Sequence, residues 1–204
     1  MRGKLITFEG IDGSGKTTML RHVASELERL GIPHVVTREP GGTDVGAVIR
    51  DLVLAREMGP LAELFLYAAD RAEHVERVIR PALREGRIVL CDRYADATVA
   101  YQGYGRGLPL ELVRVVNQWA TDGLLPDLTI VLDCAVEVAL ARRRPADRWD
   151  RFERDGVEFL ERVRQGYLEI ARAEPERMLV ISASEPEEVT ARKVWEIVAS
   201  VLHR

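Results

Sequence analysis

The chain has no apolar run approaching the roughly 18–20 residues a membrane-spanning helix requires. Behind the basic start Met1-Arg2-Gly3-Lys4, only Leu5 to Phe8 are apolar before Glu9. That stretch is too short for a signal-peptide core, so a cytoplasmic location is expected. Cysteine is scarce. Cys91 and Cys134 each end an apolar run, which suggests buried strand thiols rather than a disulfide framework. The four histidines, His22, His34, His74 and His203, are scattered with no obvious acidic partner, and are read as structural or solvated. A formal charge of −4 argues against a general nucleic-acid binder. Of 29 basic residues only three are lysines, Lys4, Lys16 and Lys193, so each lysine is informative. Repeats, low-complexity tracts and linkers are absent, and 204 residues with 47% hydrophobic content suit one core.

What is present alternates. Leu5–Phe8, Val35–Thr37, Ile88–Cys91, Leu128–Leu132 and Met178–Ile181 are short apolar runs bounded by turn signals, and are expected to be buried strands. Helical spacing lies between them. Leu20, Val23, Leu27 and Leu30 form one stripe, closed by Gly31. Pro60 to Gly86 is a long helical segment that Pro81 should bend or interrupt. Phe159, Val163, Tyr167 and Ile170 mark a later helix, and Val194, Ile197 and Val201 the last. Strand–helix alternation predicts an α/β fold of three layers, a five-stranded parallel sheet with helices on both faces. Ligands then belong at the carboxyl ends of the strands.

The segment Gly10-Ile11-Asp12-Gly13-Ser14-Gly15-Lys16-Thr17, followed by Thr18, matches the P-loop pattern G-x₄-G-K-[ST]. It follows a predicted strand and opens a predicted helix, which is the context the chemistry needs. Glycines let backbone N–H groups curl around phosphate, and the helix N-terminus adds partial positive charge. Lys16 is placed to bridge the β- and γ-phosphates of ATP, and the Thr17 hydroxyl to face Mg²⁺. Asp92, ending the Ile88–Cys91 strand, is the candidate second metal ligand, with helix capping as its alternative role. Glu9 is the next candidate ligand. A GTPase switch would need an N-K-x-D base reader, but the only asparagine, Asn117, precedes Gln118 inside a helical pattern.

FEGIDGSGKTT, TREPGGT (Thr37–Thr43), Glu63–His74 with YAADRAEH, CDRY followed by AYQG (Ala100–Gly103), LPDLTIVLD (Leu125–Asp133) and DRFE (Asp150–Glu153) together resemble bacterial thymidylate kinases. The likeness runs in order from Leu5 to about Ala183. It implies a P-loop NTPase fold with a small lid, transfer of the ATP γ-phosphoryl group to dTMP, Mg²⁺ dependence and a homodimer. It further implies that Tyr67 stacks on thymine and that Arg71 reaches its O4, with Thr98 and Gln102 alongside. Tyr101 would pack under the deoxyribose, against any 2′-hydroxyl. Arg93, Arg50 and Arg38 would gather at the acceptor phosphate, and Asp12 at the 3′-hydroxyl. Adenine contacts are expected around Ala183–Pro186.

The acceptor in such a reaction is a phosphate monoester with a second pKa near 6, already mostly dianionic at neutral pH. Catalysis needs positive charge and alignment rather than a base. Some thymidylate kinases carry an arginine within the x₄ segment of the loop, but Ile11 to Ser14 has none. Those without it carry lid arginines instead, a pattern that Arg142, Arg143, Arg144, Arg148 and Arg151 fit, with Arg148 and Arg144 the leading catalytic candidates. The whole chain, 1–204, is thus expected to be one kinase domain with a mobile lid at about 142–153. The alternatives are a kinase for another nucleoside monophosphate or a deoxynucleoside, and a nucleotide-binding regulator that signals by changing shape.

Overall fold

The computed structural model describes residues 3–142 and 156–202. Apart from Arg142, the expected lid lies outside the described residues, as does His203. Five strands, β1 (Lys4–Glu9), β2 (His34–Arg38), β3 (Ile88–Asp92), β4 (Leu128–Asp133) and β5 (Met178–Ser182), form one parallel sheet in the order β2-β3-β1-β4-β5. Each contains the expected apolar run, extended by a residue at one or both ends. The central strand β1 is paired on both sides, Thr7 with Cys91 of β3 and with Thr129 of β4.

Alternation along β1 and β3 divides the interior. Ile6, Phe8, Ile88 and Leu90 join the larger core on one face, and Leu5, Val89 and Cys91 pack with Val75, Ile79 and Tyr94 on the other. Both faces are therefore covered, giving the three layers expected. Burying each such aliphatic or phenyl side chain contributes about 1.5–3 kcal/mol. Cys91 and Cys134 are buried free thiols.

The helices are α1 (Lys16–Arg29), α2 (Asp44–Ala55), α3 (Pro60–His74), α4 (Arg80–Arg84), α5 (Ala95–Thr98), α6 (Leu110–Thr121), α7 (Val136–Ala141), α8 (Gly156–Ala173) and α9 (Glu187–Leu202). Helix α1 ends as anticipated. Gly31 turns left-handed at φ 66°, its N–H bonds Glu28 O, and the Ile32 N–H bonds Leu27 O. The helical path from Pro60 to Arg84 is not interrupted at Pro81. Wider, π-type turns over Val75–Ile79 join α3 to α4, with the Arg80 N–H bonding Val75 O, and these absorb the missing proline donor just before it falls due. The face of α8 buries Phe159, Val163, Tyr167 and Ile170.

The chain passes from β1 through β2 to β3 on one side, then crosses to β4 and β5 on the other. The direction of winding reverses at β1, and the crevice beyond its carboxyl end is where such sheets take ligands.

Candidate active site

The loop from Gly10 to Gly15 leaves β1 at that crevice. Gly13 has φ 86°, and a Cβ there would run into the backbone carbonyl of Ala139. Gly15 caps α1 at φ 95° with no side-chain cap, so the first-turn N–H groups remain for an anion. Lys16 is nearly buried. Its Nζ donates to Ile11 O at 2.9 Å and lies 3.9 Å from Asp12 Oδ1. Burial and the Arg93 charge push its pKa down, while Asp12, Asp92 and Glu9 oppose them.

Thr17 Oγ1 donates to Asp92 Oδ2 at 2.6 Å, bringing the two expected metal-facing oxygens together across 75 residues. Asp92 is not a helix cap, because it ends β3 and the cap position of α5 falls on Tyr94. Glu9, the alternative ligand, is fully committed elsewhere. Its Oε1 accepts from the Tyr94 N–H at 2.7 Å and its Oε2 from the Tyr167 hydroxyl at 2.7 Å. Burial, with the Asp96 charge adding to it, pushes the Glu9 carboxyl up to about 8.

Arg93 has φ 71°, a conformation that costs a non-glycine residue about 1–2 kcal/mol. Neighbouring bonds hold it there. Its own N–H bonds Phe8 O, and the next N–H is the one received by Glu9. The strained turn aims the guanidinium back across β1. Nη1 donates to Gly10 O and the Tyr167 hydroxyl, and Nη2 to Asp12 Oδ1 at 2.8 Å and the Tyr101 hydroxyl at 3.1 Å. The Tyr101 ring lies 4.9 Å from its carbon, a cation–π distance.

Two cavities meet at this point. A long groove of about 1060 Å³ runs over the P-loop, lined by Asp12 to Arg21, Arg38, Asp92, Arg142, Ala183 and Glu185 among others. A smaller pocket lies behind it, lined by Arg50, Tyr67, Arg71, Thr98, Tyr101 and Gln102. Asp12, Glu39, Arg50 and Arg93 line both. Arg50 is half-buried, and burial and the nearby Arg38 charge push its pKa down. Positive charges crowded in this way favour an anion between them.

Most of the residues expected around an acceptor therefore share one pocket. Arg38 lines the larger groove alone. Arg142, grouped in the sequence with the lid arginines, donates from Nη2 to Ala183 O at 2.7 Å, so it lies by the segment expected to hold adenine. Arg143, Arg144, Arg148 and Arg151 lie outside the described residues.

Arg71 is 1% exposed and held by four acceptors, Glu39 Oε2, Thr98 Oγ1, Asn117 Oδ1 and Tyr94 O. Glu39 also bonds His74 Nδ1, whose Nε2 meets Thr37 Oγ1. Glu39, Glu63, Asn117 and Tyr167 are supports that sequence reading leaves unassigned. Tyr167 had a signal only for core packing, and nothing in a helical stripe shows where a hydroxyl points.

A P-loop where a donor-sized groove meets a smaller pocket, with Arg50 and Arg93 lining both, is the arrangement of a nucleoside monophosphate kinase. The comparisons agree. The family model for thymidylate kinase matches residues 8–194. A thymidylate kinase from Pelotomaculum thermopropionicum is 50% identical over 206 residues, covering 99% of this chain and 95% of its own length. Those from Desulfosudis oleivorans and Synechococcus sp. are each 52% identical, covering 93% and 95% of this chain and 94% of their own lengths. The chain belongs to the thymidylate kinase family.

Proposed function

We infer that the protein transfers the γ-phosphoryl group of ATP to dTMP, giving ADP and dTDP. The observation that carries this is the meeting of the groove and the smaller pocket at Asp12, Arg50 and Arg93. Triphosphate lies along the backbone N–H groups of Gly13 to Thr18, with Lys16 leaving its Ile11 carbonyl for the β- and γ-oxygens. Thr17 and Asp92 offer a hydroxyl and a carboxylate, hard oxygen donors that suit Mg²⁺. When bound there, the ion neutralises charge on the phosphate oxygens. Few protein ligands are required, since Mg²⁺ keeps waters and phosphate oxygens in its shell.

The acceptor enters with its base between Tyr67, Arg71, Thr98 and Gln102 and its phosphate towards Arg93, Arg50 and Arg38. Asp12 holds the 3′-hydroxyl and Tyr101 stands against a 2′-hydroxyl. The phosphate dianion attacks without losing a proton, and arginines offset the repulsion between the two anions. Arg148 or Arg144 completes the positive field around the transferring group.

Three packed helices support a homodimer. Val48 and Leu52 of α2, Leu61 and Phe65 of α3, and Val115 and Trp119 of α6 are exposed apolar side chains, Trp119 at 84%. Helix α3 packs against both α2 and α6, so the three helices that carry these side chains adjoin one another. Light scattering at twice the chain mass is the expected result, and a single-chain mass overturns it. Among the described residues no helix is long and apolar enough to cross a membrane. The working location is the cytoplasm, where ATP and nucleoside monophosphates are held.

A coupled ADP assay over a panel of monophosphates tests the reaction. Turnover is expected first with dTMP and more weakly with dUMP, since a missing methyl contact costs only about 1–3 kcal/mol. Purine monophosphates should be inert. Equal use of dGMP or CMP overturns the assignment.

A further inference from the structure

A glutamine in a binding pocket is ambiguous, since its amide offers an acceptor at Oε1 and a donor at Nε2. At Gln102 a neighbour behind the pocket wall removes the ambiguity. Gln102 Nε2 donates to Glu63 Oε1 at 2.7 Å. Glu63 is completely buried in α3 and lies outside the pocket lining. Arg106 also donates to it, Nε to Oε1 at 3.2 Å and Nη2 to Oε2 at 3.4 Å. A carboxylate paired with a permanent cation accepts and does not donate, so it binds the NH₂ end of Gln102 and turns the carbonyl end away.

Gln102 lines the smaller pocket, and Oε1 is not among the buried polar atoms that lack a partner. It takes no hydrogen bond among the described residues, so the pocket reaches it as an acceptor. Another part of the pocket lining has the opposite sense. Arg71 spends four of its N–H groups on the protein and has one left on Nη2. Thr98 Oγ1 accepts from Arg71, which leaves the threonine O–H to donate. The pocket thus offers donors at Arg71 and Thr98 and an acceptor at Gln102.

We propose that Glu63 is a specificity-determining positioning residue. By latching the amide of Gln102 it makes the pocket accept a base carrying a carbonyl oxygen beside a ring N–H, and refuse one carrying an amino group beside a bare ring nitrogen. The proposal rests on the dTMP reading and deepens it. Thymine and uracil have the first edge at O4 and N3–H. Cytosine has the second, N4–H₂ beside N3. Placed in the same pose, cytosine sets donor against donor and acceptor against acceptor. Sites whose buried polar groups are left unpaired by the wrong substrate reject it strongly.

Glu63→Gln keeps the shape but introduces an amide that both donates and accepts, so Gln102 is free to turn over. The measurement is kcat/KM for dTMP and for dCMP in wild type and variant. The dTMP-to-dCMP ratio is expected to fall by about tenfold or more, mainly through KM for dTMP, with the saturated kcat held within about threefold. A purely structural Glu63 would lower both substrates by one factor, and an unchanged ratio overturns the proposal. Gln102→Met supplies the second arm. It should lower the ratio at least as far, and adding Glu63→Gln to it should change the ratio less than about twofold, because both act through one amide. Independent, multiplying effects overturn the claim. If Glu63→Gln does not fold, Glu63→Asp, which keeps the charge but draws it back by a methylene, should shift the ratio the same way; an unchanged ratio there is equally fatal. Failure of the dTMP reading itself is separate, since wild type would then show no preference for dTMP over dCMP.

Discussion

The Tyr167 hydroxyl stands between Glu9 and Arg93, 2.7 Å from Glu9 Oε2 and 3.3 Å from Arg93 Nη1. A residue of the α8 core stripe thereby connects the end of β1 to Arg93, one of the two arginines that line both cavities. Tyr167→Phe keeps the buried ring and deletes this link. Leaving buried polar groups short of a partner should cost about 1–3 kcal/mol of stability. With Arg93 less firmly aimed, kcat should fall by about tenfold, or roughly 1.4 kcal/mol of barrier, with KM for ATP unchanged. Thermal unfolding and steady-state kinetics check both parts. Wild-type kcat in a folded variant would mean that the hydroxyl serves packing alone.

Asp92 and Thr17 meet at 2.6 Å, and that contact predicts a metal dependence. Asp92→Asn keeps the size and can still accept from the Thr17 hydroxyl, but loses the charge. The Mg²⁺ concentration for half-maximal rate should rise about 10–100-fold, the range typical for loss of a supporting metal contact. Chelation should abolish turnover in wild type, and added Mg²⁺ should restore it. An unshifted Mg²⁺ requirement in the variant removes Asp92 from the metal.

Much of this was legible beforehand, for identifiable reasons. The strands could be read because a parallel sheet covered on both faces needs near-continuous apolar runs. The P-loop could be read because positive φ leaves glycine little competition at Gly13 and Gly15, and at Gly13 the Ala139 backbone also leaves no room for a Cβ. Helix α2 was harder to see. Val45, Val48 and Leu52 are exposed and Val53 is buried, so its apolar residues do not form one inward stripe. The clamp on Arg71 could not be seen at all. Its partners Glu39 and Asn117 lie 32 and 46 residues away, and no local pattern links them. The same holds for Glu63 and Gln102, 39 residues apart.

Asp70 supplies a pH-dependent prediction. Its Oδ1 accepts from the Gly41 N–H at 2.9 Å, while Oδ2 is buried with no hydrogen-bond partner among the described residues. Burial, and then the Glu39 charge, push its carboxyl from 3.8 up to about 6. Between those values the fold holds the proton more tightly than the unfolded chain does. The stability Asp70 contributes is therefore greatest at low pH and declines as pH rises to about 6. Asp70→Asn cannot titrate. The wild-type Tm minus the variant Tm should fall as pH is raised from about 4 to about 6 and be level beyond that, whatever its constant offset. A difference that is flat, or that rises across this window, refutes the assignment.

The last prediction concerns where the remaining positive charge comes from. Ile11 to Ser14 contribute no arginine, and Arg93 is held by Gly10, Asp12, Tyr101 and Tyr167 on the acceptor side of the loop. In the proposed reaction Lys16 would meet the β- and γ-phosphates with little help from the loop itself. A loose transition state spreads charge over three equatorial oxygens, and an arginine finger matched to it contributes on the order of 10³ or more in turnover. Arg142, bonded to Ala183 O beside the segment expected to hold adenine, should affect KM for ATP more than kcat. Arg148 and then Arg144 are the candidates for the finger. The experiment is single alanine replacement at Arg142, Arg143, Arg144, Arg148 and Arg151, assayed at saturating ATP and dTMP. One of Arg148 and Arg144 should lose kcat by about 10²-fold or more with little change in ATP affinity, the pattern of an interaction made only in the transition state. If all five variants stay within about threefold of wild type, less than about 1 kcal/mol of barrier, the charge must be drawn from Arg38, Arg50 and Arg93 alone.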